Sequence, residues 1–260
     1  MDIEEIKKKH KILNKFLYEW SPIEKGYANK TLYVNISENT FKIKPVTEQM
    51  KELFTGGRGF NLWLLWNGVN KDTKWDNPEN EICISGGPLC GTPSYPGSGK
   101  CIVASISPIT ETVVDSNVGG HFGPLLKFAG FDALEIQGKA KEDIIIYIDG
   151  TSQTVTIETA PLEPVNTHLI TEILTEMYAD NPKEKQNISI VSAGSGADHV
   201  RIGCLNFSWW DWRRQSVRVK QAGRGGIGSV FRNKKLKALV VKTENIRPKW
   251  KIAERIPETN

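Results

Sequence analysis

Six apolar residues in the first twenty positions, Ile3, Ile6, Leu13, Phe16, Leu17 and Trp20, recur among lysines at helical spacing, which predicts one amphipathic helix. The pattern then changes to alternation. Residues 31–36 and 40–43, separated by Ser37, Glu38 and Asn39, read as a β-hairpin, and a short helix is expected over 48–54. Further strands are expected at 81–85, 101–107, 112–114, 133–137, 143–148, 154–158, 187–191 and 236–241. Leu169, Ile170, Ile173, Leu174 and Met177 mark a helix that opens near Asn166 and closes before Pro182, and another is expected over 122–128.

Strands outnumber helices and many connections are hairpin-short, so strict strand–helix alternation around a wholly parallel sheet fits poorly. The expected class is α+β, with large mixed β-sheets and a few helices. The chain divides into an N-terminal amphipathic extension (1–28), one domain (29–244) and a polar, proline-containing tail (245–260).

At 260 residues and 39% hydrophobic content the chain can bury a real core, which excludes disorder. Its net charge of +4 is small and evenly scattered, so no nucleic-acid-binding face is expected. No apolar run approaches the roughly 18 residues of a membrane helix, and residues 1–9 are charged without a cleavable apolar segment behind them. A cytoplasmic protein with no membrane partner is expected. Cys83, Cys90, Cys101 and Cys204 lack the two-residue spacing of zinc and iron–sulfur sites, so four buried, reduced thiols are expected and no cluster on this chain.

Candidate chemistry lies in four glycine clusters. Gly56-Gly57-Arg58-Gly59 reads as a helix-end turn. Residues 86–100, from Gly86-Gly87-Pro88 to Gly99-Lys100, form a long loop in which glycine admits a ligand close to the backbone and proline limits wandering. Lys100 adds a cation at its end; a plain connecting loop is the alternative. Asn117-Val118-Gly119-Gly120-His121 lies between a strand and a helix, where Asn117 either offers a carbonyl to a hard cation or caps the helix. Lys220-Gln221-Ala222-Gly223-Arg224-Gly225-Gly226, preceded by Arg218, suggests an anion, but it matches neither a Walker A loop nor a dinucleotide fingerprint. The lone histidines and remaining polar residues form no catalytic set, so catalytic residues are not expected on this chain.

In these clusters, and in Thr31-Leu-Tyr-Val-Asn-Ile36, Asn77-Pro-Glu-Asn80, Leu126-Lys-Phe-Ala-Gly-Phe-Asp132 and Asn233-Lys-Lys-Leu-Lys-Ala238, the chain resembles the N-terminal domain of the tungsten-containing aldehyde ferredoxin oxidoreductase family from about residue 29 to 242. The resemblance implies an α+β platform holding tungsten between two pterins (tungstopterin), with magnesium bridging their phosphates. It implies cofactor contacts at Lys100, Asn117, Gly119, Lys220, Gln221, Gly223 and Arg224, with Asn117 and Gln221 at the magnesium. Lys100 and Lys220 stand where the family has arginines, which replaces planar forks by point charges. Residues 207–215, with Trp209, Trp210 and Trp212, read as an insertion, placed at an interface or a core corner.

The family's full chain is more than twice as long, so the resemblance implies a second subunit bearing the C-terminal domains, a 4Fe–4S cluster and the acid–base residues. With a ferredoxin-like electron carrier, such a pair would oxidise aldehydes to carboxylic acids or run the reverse. The alternatives are a non-catalytic scaffold or cofactor-holding subunit, or a subunit of a related tungsten enzyme acting on another substrate such as an aromatic thioester.

Overall fold

The computed structural model describes residues 3–92, 95, 97–162 and 165–244; the tail expected over 245–260 lies outside the described residues. In chain order the elements are α1 (Ile3–Lys9), β1 (Ile12–Leu17), β2 (Lys30–Asn35), β3 (Thr40–Pro45), α2 (Glu48–Phe54), α3 (Arg58–Gly68), β4 (Ile82–Ser85), β5 (Cys101–Ile106) and β6 (Val113–Val118). There follow α4 (Phe122–Phe128), β7 (Ala133–Gln137), β8 (Ile144–Asp149), β9 (Thr154–Thr159), α5 (Thr167–Tyr178), β10 (Ile188–Ser192), β11 (Leu205–Asp211), β12 (Ser216–Ala222), α6 (Ile227–Asn233) and β13 (Leu236–Lys242).

Two mixed sheets form, as expected. One runs β3-β2-β7-β4-β5-β6, with β2 and β7 parallel; the other runs β1-β9-β8-β13-β10-β11-β12, with β8 and β13 parallel. Inward residues of both sheets, among them Leu32, Ile84, Val103, Ile146, Leu205 and Leu239, join Phe122, Leu125, Val230 and Phe231 in one core. Helices α4 and α6 therefore lie between the sheets, while α2 and α3 cover the outside of the first and α1 and α5 the outside of the second. Local chemistry agrees: the side chains of Thr47 and Asn166 cap α2 and α5 by accepting the backbone N–H of Met50 and Leu169.

The expected N-terminal helix is corrected. It ends at Lys9, and residues 12–17 pair instead as an edge strand with β9, where Lys11 N–H donates to Thr159 Oγ1 and Phe16 stacks on Phe41 at 5.7 Å. A free strand edge outweighs local helical spacing. Three elements go beyond the sequence reading: α3, α6 and the β11–β12 hairpin. The tryptophan-rich insertion is that hairpin, paired without a break from Leu205↔Ala222 to Asp211↔Ser216. Among the cysteines, Cys83, Cys90 and Cys101 are buried, but Cys204 is exposed just ahead of β11, correcting that expectation.

Candidate cofactor-binding site

The last strand of each sheet, β6 and β12, meet along one seam, and the glycine clusters gather around it. Gly57 N–H donates to the carbonyl of Gly86, and Ser85 Oγ to that of Gly57, joining the first cluster to the second. The second touches the third so closely that a Cβ on Gly99 would sit 2.5 Å from the Gly120 carbonyl oxygen. The fourth closes the ring: Arg224 N–H donates to Ser116 Oγ at 3.3 Å and Arg224 Nε to the Asp115 carbonyl at 2.8 Å. From the first cluster, Arg58 reaches the same residue, with Nη2 2.9 Å from Asp115 Oδ2.

Beneath this seam the Leu126–Asp132 motif acts as a bracket. Lys127, buried in the core, donates from Nζ to the carbonyls of Gly26 and Gly87, and Asp132, 3.6 Å away, accepts the backbone N–H groups of Ala28 and Asn29. Burial pushes the Asp132 carboxyl up from its ordinary value, and the Lys127 cation opposes the rise. A second bracket ties two other motifs together, as Lys234 Nζ donates to the carbonyls of Pro78 and Gly138. These motifs shape the loops without facing the seam.

Beside the seam opens a cleft of about 880 Å³, walled by Gly91, Gly97, Gly99 and Gly120, by His121, Pro124 and Phe128, and by Tyr95, Trp209, Trp210, Trp212 and Lys220. Trp209 and Lys220 share one face of the hairpin with the core residue Phe207, so they point toward the space between the sheets. The Trp209 ring lies 5.8 Å from that of His121. Burial lowers the His121 pKa, which keeps the imidazole neutral near pH 7. Trp209 Nε1 is shielded from solvent yet finds no hydrogen-bond acceptor among the described residues. Such an orphaned donor costs about 1–3 kcal/mol unless something supplies an acceptor.

Of the seven residues singled out in sequence, Lys220 lines the cleft directly. Lys100 follows Gly99 of its wall, and Gly119 precedes Gly120; the pairing of Cys101 with Val118 sets Lys100 and Gly119 side by side. Neither Lys100 nor Lys220 has a hydrogen-bond or ion-pair partner among the described residues. A Cβ at Gly97 or Gly119 would meet no atom within 4 Å. Asn117 is exposed within β6 on the face of Asp115, four residues before the N-cap of α4, so helix capping does not explain it. Gln221 leaves β12 on the face opposite Lys220. Gly223 and Arg224 lie exposed beyond the strand, and Arg224 is engaged by Asp115. The tryptophan wall and Asp115 had no assigned role in the sequence reading, although the clustering of Trp209, Trp210 and Trp212 was a visible signal.

The architecture is that of an α+β protein with a glycine-walled cleft where two sheet edges meet. The chain belongs to the aldehyde ferredoxin oxidoreductase family: the family's N-terminal domain matches residues 31–243. It is 33% identical over 237 residues to the tungsten-containing aldehyde ferredoxin oxidoreductase of Pyrococcus horikoshii, covering 90% of this chain and 36% of that one. It is also 28% identical over 229 residues to the WOR-like subunit of aliphatic sulfonate oxidoreductase from Pyrococcus furiosus, covering 84% of this chain and 34% of that protein. Among solved structures it resembles the active site complex BamBC of benzoyl coenzyme A reductase, with a TM-score of 0.72, 28% identity, and coverage of 84% of this chain and 31% of the other. The chain thus spans about a third of the length of the curated relatives it matches.

Proposed function

We propose that this chain is the tungstopterin-binding part of an oxidoreductase whose 4Fe–4S cluster and acid–base residues lie on a partner polypeptide. The reaction of this reading is the oxidation of an aldehyde by water to a carboxylic acid, releasing two protons and two electrons, the electrons passing singly to a ferredoxin-like carrier, or its reverse. The observation behind it is the convergence of four glycine clusters on one seam beside two lysines that lack partners. The tungsten-containing relatives support the cofactor class.

The residues present fit a phosphorylated cofactor. Lys100 and Lys220 would hold phosphates as point charges, Gly119 would let a phosphate approach the backbone, and the Asn117 side-chain carbonyl and a Gln221 oxygen would face magnesium. Arg224 and Gly223 would border the second phosphate, with Asp115 fixing the guanidinium. When bound, tungstopterin supplies the two-electron chemistry and the electron path. This chain's part is positional.

A second reading, a related tungsten enzyme acting on an aromatic thioester, draws on the likeness to BamBC. Purification of the complex from the native host with metal analysis tests both against a scaffold role. Stoichiometric tungsten with a cysteine-rich partner supports an enzyme, and assaying aldehydes against aryl thioesters separates the two; a metal-free complex overturns the cofactor reading. Lys100→Ala/Lys220→Ala should lose tungsten, and unchanged content would refute those assignments.

A further inference from the structure

The phosphate-facing residues leave the aromatic wall of the cleft without a role. Trp209 points inward from β11, and its Cδ1, bonded to the orphaned Nε1, lies 4.0 Å from the Cβ position of Gly120. The pyrrole edge of the indole therefore faces the glycine turn that borders the cleft. Trp212 and Tyr95, 65% and 54% exposed, extend the wall toward solvent.

Each feature limits what fits. Flat aromatic walls favour a planar ring, because stacked rings bury large surface at low conformational cost. A desolvated indole N–H requires that ring to carry an acceptor, a ring nitrogen or a carbonyl. Lys220, on the same face of the hairpin as Trp209, requires an anionic substituent on the ligand. The cleft, at about 880 Å³, falls in the range of cavities that bury ligands of cofactor size, roughly 300–1,000 Å³.

We propose that the β11–β12 hairpin is the ring-binding wall of this site, with Trp209 donating its indole N–H to an acceptor on a pterin-type heteroaromatic while Lys220 holds the anionic substituent. The proposal rests on the cofactor reading above but concerns a side chain, Trp209, to which that reading gives no role.

The full chain should bind the probe pterin-6-carboxylate, followed by tryptophan quenching and calorimetry. Trp209→Phe keeps an aromatic ring but removes the N–H, and should weaken binding about tenfold. Trp209→Leu should weaken it further, both with an unchanged melting temperature, and Lys220→Ala should weaken it as well. Inorganic phosphate should not quench, and benzoate and hexanoate should bind far more weakly. Binding of the pterin that is indifferent to Trp209→Phe and Trp209→Leu overturns the proposal, as does benzoate binding as tightly as the pterin. The two readings fail separately. If complexes purified from the host keep tungsten with Trp209→Phe or Trp209→Leu but lose it with Lys100→Ala/Lys220→Ala, the proposal falls and the cofactor reading stands. If no complex carries tungsten while pterin-6-carboxylate still binds through Trp209, the reverse holds.

Discussion

Arg224 Nε donates to the backbone carbonyl of Asp115 at 2.8 Å, which ties the loop after β12 to the edge strand of the other sheet. The Asp115 carboxylate also draws in Arg58, so one acidic residue gathers cations from two glycine clusters. Both guanidinium groups are more than half exposed, and exposed pairs contribute roughly 0–1 kcal/mol. Asp115→Asn should therefore cost less than about 1 kcal/mol in denaturant titrations. By raising the seam's charge by one, it should tighten inorganic pyrophosphate binding at low salt and steepen its salt dependence in calorimetry. A stability loss above about 2 kcal/mol would instead make the clamp a determinant of the fold.

Two glycines of these clusters should respond in opposite ways. Gly226 sits at φ +66°, and a Cβ there would lie 2.0 Å from the Arg201 carbonyl oxygen, so Gly226→Ala should cost upwards of about 3 kcal/mol or fail to fold. At Gly119 a Cβ meets open space, so Gly119→Ala should stay within about 0.5 kcal/mol of the parent while lowering tungsten content. Thermal melts beside metal analysis read both effects. Full tungsten retention in Gly119→Ala would remove that residue from the site.

Lys127 and Asp132 form a buried pair, and Lys127 also satisfies two carbonyls, so Lys127→Met leaves a charge and two acceptors uncompensated. The expected loss is about 3–5 kcal/mol by denaturant unfolding. Adding Asp132→Asn removes the stranded charge and should recover part of that loss. No recovery in the double variant would mean that the carbonyls of Gly26 and Gly87, and not the charge, dominate.

Much of this was legible in sequence. Alternation gave away β2, β3 and the buried strands, and Asn166 and Thr47 announced their helices. The β11–β12 hairpin was obscured because Trp210, which faces outward and packs under Lys185 Nζ at 5.0 Å, is as apolar as the inward Trp209, erasing the period of two. The N-terminal strand was hidden because Leu13, Phe16, Leu17 and Trp20 suit a helix, and the open edge of β9 is a tertiary fact that no local window contains. The glycine clusters were visible one by one. Their meeting at β6 and β12 depends on strand order, and nothing in the local pattern encodes that.

The pairing of Cys83 with Glu135 across β4 and β7 places Glu81, two residues before Cys83, on the same buried face as Glu135, whose Oε2 lies 2.7 Å from Lys44 Nζ. Burial, reinforced by the neighbouring Glu135 charge, pushes the Glu81 carboxyl up to about 9, from 4.5 in an open chain. It therefore keeps its proton at neutral pH. A folded-state value above the unfolded one gives stability that is complete below pH 4.5 and is lost as pH rises toward 9. Lys234 works the other way: burial lowers it to about 7 from 10.5, so its contribution is present above 10.5 and lost as pH falls through 7. Below pH 7 Lys234 is protonated in both states and adds little slope, which leaves pH 5–7 as the window for Glu81. Across that window the native protein should lose stability relative to Glu81→Gln as pH rises, measured by denaturant midpoints at fixed ionic strength. Parallel profiles for the two proteins would show that Glu81 is ionised in the fold, and that Lys44 and Lys234 neutralise both carboxylates.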